Sequence, residues 1–215
     1  MAAQQEHEPA AAVSAKPKGT LNVARWGEIL QAAGEVFDEK GYQAARIEDI
    51  AARVGILKGS LYYYIESKED LLFALSENAH TTGLTAIVED AEMVAADAPT
   101  RLGAFILRWM VVLAANPPYA TVTDREVGAL SGERYQQVMA KRNELHGFVR
   151  GLIEQGIADG DFDPATDPGV ATNSLFQMFN ATSGWFRPSG RLTIPDIAEW
   201  YRRFVLQGLA ASPAT

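Results

Sequence analysis

The stretch from residue 47 to residue 68 reads IEDIAARVGILKGSLYYYIESK, and its spacing decides the fold. Its first part places apolar side chains at intervals of three and four, which is one face of a short helix: Ile47, Ile50, Ala51 and Val54. Gly55 follows, at the point where a chain can turn through a left-handed backbone conformation. A second short helix is predicted from about Leu57 to Ile65. Two short amphipathic helices joined at a glycine are typical of a helix-turn-helix.

The second predicted helix has two different sides. Its apolar side carries Leu57, Leu61, Tyr64 and Ile65, spaced at roughly 100° per residue. Its other side presents small, aromatic and basic groups: Lys58, Gly59, Ser60, Tyr62 and Tyr63. A helix held by one face and offering such groups on the other can lie in the major groove of DNA. The alternative is an ordinary helical hairpin in a core, but such a hairpin has no reason to expose a lysine and two tyrosines together.

Several segments of this region resemble the DNA-binding domain of the TetR family of transcriptional regulators. They are Gly41-Tyr42, Asp49-Ile50-Ala51, the run from Gly55 to Tyr63 and the run from Ser67 to Leu72, and the close resemblance covers residues 24–75. It implies an all-helical homodimer that binds a palindromic operator and releases it when a small molecule binds. The chain departs from the family at Ala45 and Arg46, where threonine or serine is usual. The long charged side chain of Arg46 can replace the lost phosphate contact.

The exposed face of the second helix and its surroundings suggest how DNA is contacted. Phosphate contacts are predicted for Arg46, Lys58, Ser60, Tyr62 and Lys68. Such contacts fix the register of a protein on DNA without reading its sequence. The residues closest to the base edges are predicted to be Gly59, which allows close approach, and Tyr63.

Composition sets limits on the remaining function classes. The chain has 215 residues, of which 47% are hydrophobic, and it has no cysteine. A chain without cysteine forms no disulfide and offers no thiolate to a metal, which is consistent with a reducing cytoplasm, the expected location. No signal peptide is recognisable, and no stretch approaches the roughly 18 apolar residues that span a bilayer, so no membrane partner is expected.

The net charge of −8 argues at first against DNA binding. Its distribution changes that conclusion, because residues 16–68 carry eight basic and seven acidic side chains, whereas residues 69–215 carry eleven and eighteen. Charges far from the DNA are screened over about 8–10 Å at physiological salt. A small basic surface can therefore bind phosphate within an acidic protein, and non-specific binding is expected to be weak.

The chain divides by sequence into three parts. Residues 1–20 are expected to be a flexible tail, residues 21–67 a three-helix DNA-binding domain, and residues 68–212 a helical domain for ligand binding and dimerisation. Helices are predicted from Trp26 to Lys40, from Ser67 to about 96, and over 100–115, 119–129, 133–158, 168–184 and 194–209, each bounded by Gly, Pro or a capping side chain. No strand-length alternation is present, so the fold class is all-α.

The last two helices carry more apolar residues than one subunit needs. The final helix offers Ile197, Trp200, Tyr201, Phe204 and Val205, and the helix before it offers Ala171 and Leu175. The family resemblance implies that these two helices pair with their copies as a four-helix bundle. The alternative is that they only close the core of one subunit.

A sensor pocket is predicted between the central helices. Its candidate residues are Phe105, Trp109, Met110, Leu113, Tyr119, Phe176, Phe179 and Asn180. A pocket of this composition suits a small hydrophobic effector. The segment from Trp185 to Thr193 also resembles actinobacterial regulators of steroid and fatty-acid breakdown, some of which respond to acyl-CoA. Residues 170–186 contain no Arg or Lys for the CoA phosphates; Arg187 and Arg191 lie just beyond, and Arg108, Arg134 and Arg142 lie elsewhere. A neutral hydrophobic effector is therefore an equal alternative.

Other function classes find little support in the sequence. The chain has three histidines and no zinc-protease motif, nucleophile elbow or phosphate-binding glycine loop, so no enzyme activity and no cofactor are expected. The acidic loop over residues 159–164 lacks the spacing of a calcium-binding loop, so no metal is expected there. The remaining alternatives are a helical protein-interaction module and an enzyme that uses the central helical cavity.

Overall fold

The protein is described here from a computed structural model, which covers residues 23–78, 97–115, 117–187 and 189–211. This part is all helical, as predicted. The α-helices are α1 Val23–Lys40, α2 Ile47–Val54, α3 Lys58–Leu61, α4 Lys68–Asn78, α5 Ala98–Ala115, α6 Pro117–Glu126, α7 Gly132–Asp159, α8 Pro168–Trp185 and α9 Ile194–Leu209. A 3-10 turn, Val127–Ala129, joins α6 to α7. The predicted tail and the predicted continuation of α4 to about residue 96 lie outside the described residues.

Local sequence signals account for most of the helix limits. Helix α1 ends before Gly41, whose φ of 77° lies in the left-handed region that favours glycine. At the start of α8, the carboxylate of Asp167 accepts a hydrogen bond from the Val170 backbone N–H at 2.8 Å. At the start of α9, the Thr193 backbone N–H donates to the Asp196 carboxylate at 2.8 Å, and the Thr193 hydroxyl accepts from the Asp196 N–H at 3.3 Å. The predicted caps are confirmed.

The buried side chains form two clusters. The first, here called the N-terminal core, joins α1, α2, α3 and α4, with Phe37, Ile50, Leu61 and Leu71 at its centre. It extends into α6 and α7, because Val122, Leu130 and Val138 belong to it as well. The predicted boundary between residues 67 and 68 therefore does not coincide with a break in packing, and it remains a prediction.

The second cluster, the C-terminal core, joins α5, α7, α8 and α9. It contains Phe105, Phe162, Phe179 and Tyr201 among other buried residues. Helices α5 and α9 pack closely, since a Cβ atom at Gly103 would lie 3.4 Å from the side chains of Arg202 and Leu206. No helix among the described residues is long and apolar enough to cross a lipid bilayer.

Helix α6 is bonded to the end of α1. The guanidinium of Arg125 donates to the backbone carbonyl of Phe37 at 2.9 Å, which also accepts from the backbone N–H of Gly41 at 2.9 Å. The carboxylate of Glu126 accepts from the backbone N–H of Tyr42 at 3.3 Å. These bonds fix the turn between α1 and α2 against the C-terminal half.

Helix α4 is bonded in a similar way to α7. The Glu69 carboxylate accepts from the backbone N–H of Ser131 at 2.9 Å, and the Arg134 guanidinium pairs with Asp70 at 2.5 Å. The polar bonds of α4 and α6 therefore hold the three-helix region from two sides.

Candidate nucleic-acid interface and sensor site

The turn between α2 and α3 has the geometry that the sequence predicts. Gly55 has a φ of 75°, and its N–H donates to the carbonyl of Ala52 at 3.2 Å. The N–H of Ile56 donates to the carbonyl of Ala51 at 2.9 Å. This pair of bonds closes the end of α2 and lets the chain change direction within two residues.

The second helix of the motif is shorter than predicted. Helix α3 has four residues, Lys58–Leu61, and Tyr62, Tyr63 and Tyr64 continue as turn. It is anchored by Leu61 and Ile65, which are buried in the N-terminal core.

Leu57 was predicted on the buried side of this helix, and that prediction is wrong. Leu57 precedes the first helical residue with an extended backbone, at φ −71° and ψ 145°, and its side chain is 80% exposed. The helical period does not apply to a residue outside the helix, which is why its side chain points to solvent. The fourth predicted member, Tyr64, is half-buried and stacks on Trp26 with ring centroids 6.4 Å apart.

The predicted outward face is exposed. Tyr63 is 77% exposed and Tyr62 45% exposed, which are large fractions for aromatic side chains. A Cβ atom at Gly59 would meet no atom within 4 Å, so the backbone there is open to close approach. Lys58 is exposed, and Ser60 is half-buried. The structure therefore brings these five residues together on one surface, here called the reading face.

The charges beside the reading face are mostly paired. The Lys58 ammonium pairs with the carboxylate of Glu48 at 2.5 Å, from the first turn of α2. This hydrogen bond raises the pKa of Lys58 and lowers the pKa of Glu48 from their usual values. The guanidinium of Arg46 is exposed and has no ion pair among the described residues.

The interpretation of Lys68 as a phosphate contact needs correction. Its ammonium donates to the backbone carbonyls of Tyr42, Gln43 and Ala45 at 2.6, 3.3 and 2.9 Å. An ammonium has three N–H donors, and all three are occupied. Desolvation by burial lowers the pKa of Lys68. Its role in this structure is to hold the turn that precedes α2.

The predicted dimer residues divide into two groups. Ile197, Tyr201, Val205 and Leu175 are buried in the C-terminal core of a single subunit, so their assignment to a dimer interface is corrected. Their burial follows from the i, i+4 spacing that faces α5 and α8. The Tyr201 hydroxyl also contacts the hydroxyl of Thr182 at 2.9 Å.

The other group faces outward. Trp200 is 51% and Phe204 56% exposed, and their rings stack with centroids 5.0 Å apart and planes 10° apart. Ala171 is half-buried, and its neighbour Val170, which the sequence analysis did not single out, is 64% exposed. Helix α8 contains no Asp, Glu, Lys or Arg. The exposed part of α8 is thus uncharged, and α9 adds two stacked aromatic rings that are next in sequence to the exposed side chains of Glu199 and Arg203.

Most of the predicted pocket residues lie in the C-terminal core. Phe105, Met110 and Phe179 have no exposed surface, and Phe176 and Leu113 have little. Asn180 is half-buried, and its backbone carbonyl accepts from the Ser183 hydroxyl at 2.8 Å. The side chain of Tyr119 lies outside the described part. These contacts are those of a packed core, and the ligand role of these residues stays a prediction.

The rings of this region form a continuous cluster. Trp109 stacks on Phe105 with centroids 5.7 Å apart and meets the edge of Phe176 at 5.2 Å. The ring of His146 stacks on the ring of Phe176, with centroids 4.1 Å apart. Burial, and then the charge of Arg142, lower the pKa of His146. The sequence analysis gave His146 no role, since its neighbours come from other helices.

Two buried donors have no hydrogen-bond partner. Among the described residues, the Trp109 indole Nε1 and the Thr123 hydroxyl are buried side-chain polar atoms without a hydrogen bond. A buried donor without a partner costs about 1–3 kcal/mol, so such groups are usually satisfied by water or a ligand. Thr123 was missed because one threonine in a helix carries no sequence signal.

Comparison with known proteins assigns both halves. Residues 29–75 match the bacterial regulatory proteins of the tetR family, and residues 95–209 match the tetracyclin repressor-like C-terminal domain. The chain belongs to the TetR family. As a TetR-family protein it is a ligand-responsive, DNA-binding transcriptional repressor and not an enzyme. The helix-turn-helix of α2 and α3 is its DNA-binding motif.

Individual relatives agree with this assignment. The transcriptional repressor KstR2 of Rhodococcus jostii strain RHA1 is 29% identical over 192 residues, which cover 86% of this chain and 90% of the relative. The structure of the ketosteroid regulator KstR2 of Mycobacterium tuberculosis has a TM-score of 0.81 at 26% identity, and covers 92% of this chain and all of that one. The structure of AibR with isovaleryl coenzyme A and operator DNA has a TM-score of 0.73 at 25% identity, and covers 86% and 98%.

Proposed function

We propose that this TetR-family protein is a homodimer that represses transcription at a palindromic operator and releases it on binding a small hydrophobic effector. The observation that carries the proposal is the reading face. It exposes a lysine and an open glycine on a short helix and two tyrosines in the turn that follows, and Leu61 and Ile65 anchor this segment. Exposed aromatic and basic groups on a rigid support suit contact with a duplex.

Within this proposal the residues have distinct tasks. Arg46, Lys58 and Tyr62 hold phosphates, as does the hydroxyl of Ser60. Arg46 contributes the most positive charge, because it is exposed and has no ion pair among the described residues. Tyr63 and Gly59 approach the base edges, since the Tyr63 ring extends furthest into solvent and Gly59 has no side chain.

The uncharged helix α8 and the stacked rings of α9 support the homodimer. Trp200, Phe204 and Val170 leave more than half of their surface exposed, which is unusual for side chains of this kind. Pairing this surface with its copy about a two-fold axis removes it from water. The same axis places two copies of α3 one helical turn of DNA, or a multiple of it, apart.

The chemistry around Trp109 bears on the effector. An acyl-CoA and a neutral hydrophobic molecule are both candidates, and AibR binds isovaleryl coenzyme A. The rings packed against Trp109 are apolar, but its indole N–H has no acceptor among the described residues. An effector that carries a carbonyl oxygen would supply one, and both an acyl thioester and a neutral ketone meet this requirement.

DNA binding is tested by selecting duplexes from a random pool with the full chain and measuring affinity by gel shift. Arg46→Ala should weaken binding to every duplex and flatten the salt dependence by about one unit per subunit. Tyr63→Ala should instead change the order of preference among selected duplexes. If neither variant differs from the parent, the assignment of the reading face is wrong.

The effector is tested by adding octanoyl-CoA, 2-octanone or free CoA to the complex of protein and selected duplex. Release by the thioester alone supports an acyl-CoA, and release by the ketone as well supports a neutral hydrophobic effector. Because a ligand shifts DNA binding only through a difference in its affinity for two states, the same compound must bind more weakly in the presence of DNA. If none of the compounds releases the duplex, neither effector class is supported.

A further inference from the structure

In the three-helix region, basic side chains form ion pairs with acidic side chains of the same region. Arg53 pairs with Glu35 and Glu39 at 3.2 and 2.6 Å, and Lys40 pairs with Asp49 at 2.8 Å. Each of these pairs joins α1 to α2. They brace the domain, and none of them involves α3.

The pair of Lys58 and Glu48 differs from these. Lys58 is the only charged residue of α3, and it lies on the reading face beside Tyr62. Its partner Glu48 extends from the first turn of α2, with the two charged atoms 2.5 Å apart. Both side chains are about half exposed, at 49% and 55%. A carboxylate therefore occupies the position beside Lys58 that a DNA phosphate oxygen would take.

We propose that Glu48 is an internal competitor for the phosphate at Lys58 and thereby limits the affinity of the protein for all DNA. The inference rests on the proposed function, in which Lys58 is a phosphate contact. When a phosphate approaches, the ammonium must leave Glu48, and the carboxylate is left close to the negative backbone.

The exposure of the pair determines how strong the competition is. An ion pair in water contributes little to stability, so the phosphate can displace the carboxylate and Lys58 stays usable. The displaced carboxylate takes up a cation from solution. The net number of cations released when the DNA binds therefore falls by one. Glu48 thus reduces both the affinity and its salt dependence, and it does so for operator and non-operator duplexes alike.

A double-mutant cycle tests this proposal, with the parent, Glu48→Gln, Lys58→Ala and the double variant. The probes are one duplex selected by the protein and one scrambled duplex of equal length, each titrated at several salt concentrations between about 50 and 200 mM. Glu35→Gln is the matched control, because it removes the same charge from an exposed pair that does not involve α3. Thermal unfolding of each variant checks that the fold is intact.

Glu48→Gln is expected to bind both duplexes about two- to fivefold more tightly per subunit, with a salt slope steeper by about one. In the Lys58→Ala background the same change should have a smaller effect, because only the repulsion between the Glu48 carboxylate and the DNA backbone is then removed. Suppose that Lys58→Ala weakens DNA binding. The inference is then overturned if Glu48→Gln raises the affinity equally with and without Lys58, or does not raise it at all. If Lys58→Ala itself binds like the parent, the proposed phosphate contact fails and the competitor role fails with it.

Discussion

The turn that follows α3 and helix α9 both present a pair of exposed aromatic rings, yet their surroundings differ. Tyr62 and Tyr63 stand beside a lysine whose charge is balanced by a carboxylate 2.5 Å away. Trp200 and Phe204 stack on each other beside α8, which has no charged residue. Tyr62 and Tyr63 are thus suited to a negatively charged partner that replaces the carboxylate at the lysine. Trp200 and Phe204 are suited to an apolar surface. The same kind of exposure therefore indicates two different partners.

The largest effect is expected from placing a charge in the apolar surface. Phe204→Glu should abolish dimer formation and weaken operator binding by at least about 100-fold, because an interface does not tolerate an unpaired buried charge. Sedimentation and gel shift measure the two effects. Gln136→Glu, at an exposed position of α7, is the matched control. If the Phe204→Glu variant were still a dimer, α9 would not belong to the proposed interface.

A second prediction concerns the packing at the end of α7, where the chain leads on to α8. A Cβ atom at Gly156 would lie 2.3 Å from the ring of Phe162, which is buried where the chain leaves α7. Gly156→Ala should therefore lower the free energy of unfolding by about 1–3 kcal/mol, measured by urea denaturation.

Gly151 is the control for this prediction, since a Cβ atom there meets nothing within 4 Å. Gly151→Ala should raise the free energy of unfolding by about 0.5–1 kcal/mol through the helix propensity of alanine. The same change at two positions of α7 then has opposite signs. Equal effects would mean that the ring of Phe162 does not limit the space at Gly156.

Two tyrosines allow a buried ring to be compared with an exposed one. Tyr201→Phe removes a buried hydroxyl that contacts Thr182 at 2.9 Å, and should cost about 1 kcal/mol of unfolding free energy. Tyr63→Phe, at an exposed position, should leave the stability unchanged and alter only DNA binding. Thermal unfolding and gel shift separate the two results. A stable Tyr201→Phe variant would show that the hydroxyl contributes nothing to the C-terminal core.

The smallest effect is a pH dependence confined to the C-terminal half. Residues 23–78 contain no histidine, whereas burial lowers the pKa of His146 below its ordinary 6.5. The unfolded chain then binds this proton more readily than the folded one, so stability is lost as the pH falls below about 6.5. Between pH 7 and pH 5.5 the parent should lose thermal stability relative to His146→Gln, which has no titrating group at this position. A constant difference would contradict the prediction.

The sequence predicts the helix limits well where a single side chain sets them. Gly55 ends α2, and Asp167 and Thr193 begin the last two helices, because a capping bond or a left-handed turn needs only residues that are close in sequence. Side-chain roles that depend on distant residues are not predictable in this way. The three carbonyl partners of Lys68 lie more than 20 positions away in the chain.

The apolar stripe of α9 shows the same limit. Ile197, Tyr201 and Val205 face inward, while Trp200 and Phe204 belong to the same sequence pattern and face outward. A stripe of this width covers two sides of a helix, and periodicity alone does not separate burial in one subunit from contact with another. Packing against α5 decides which side is internal.

The bonds of Lys68 restrict how this protein can move. Because one ammonium holds three carbonyls between residues 42 and 45, the corner that leads into the DNA-binding motif is fastened to the first turn of α4. A rotation of α4 is therefore expected to move this corner with it. In the dimer proposed above, we expect the effector signal to tilt the two motifs relative to each other about a hinge outside residues 42–68.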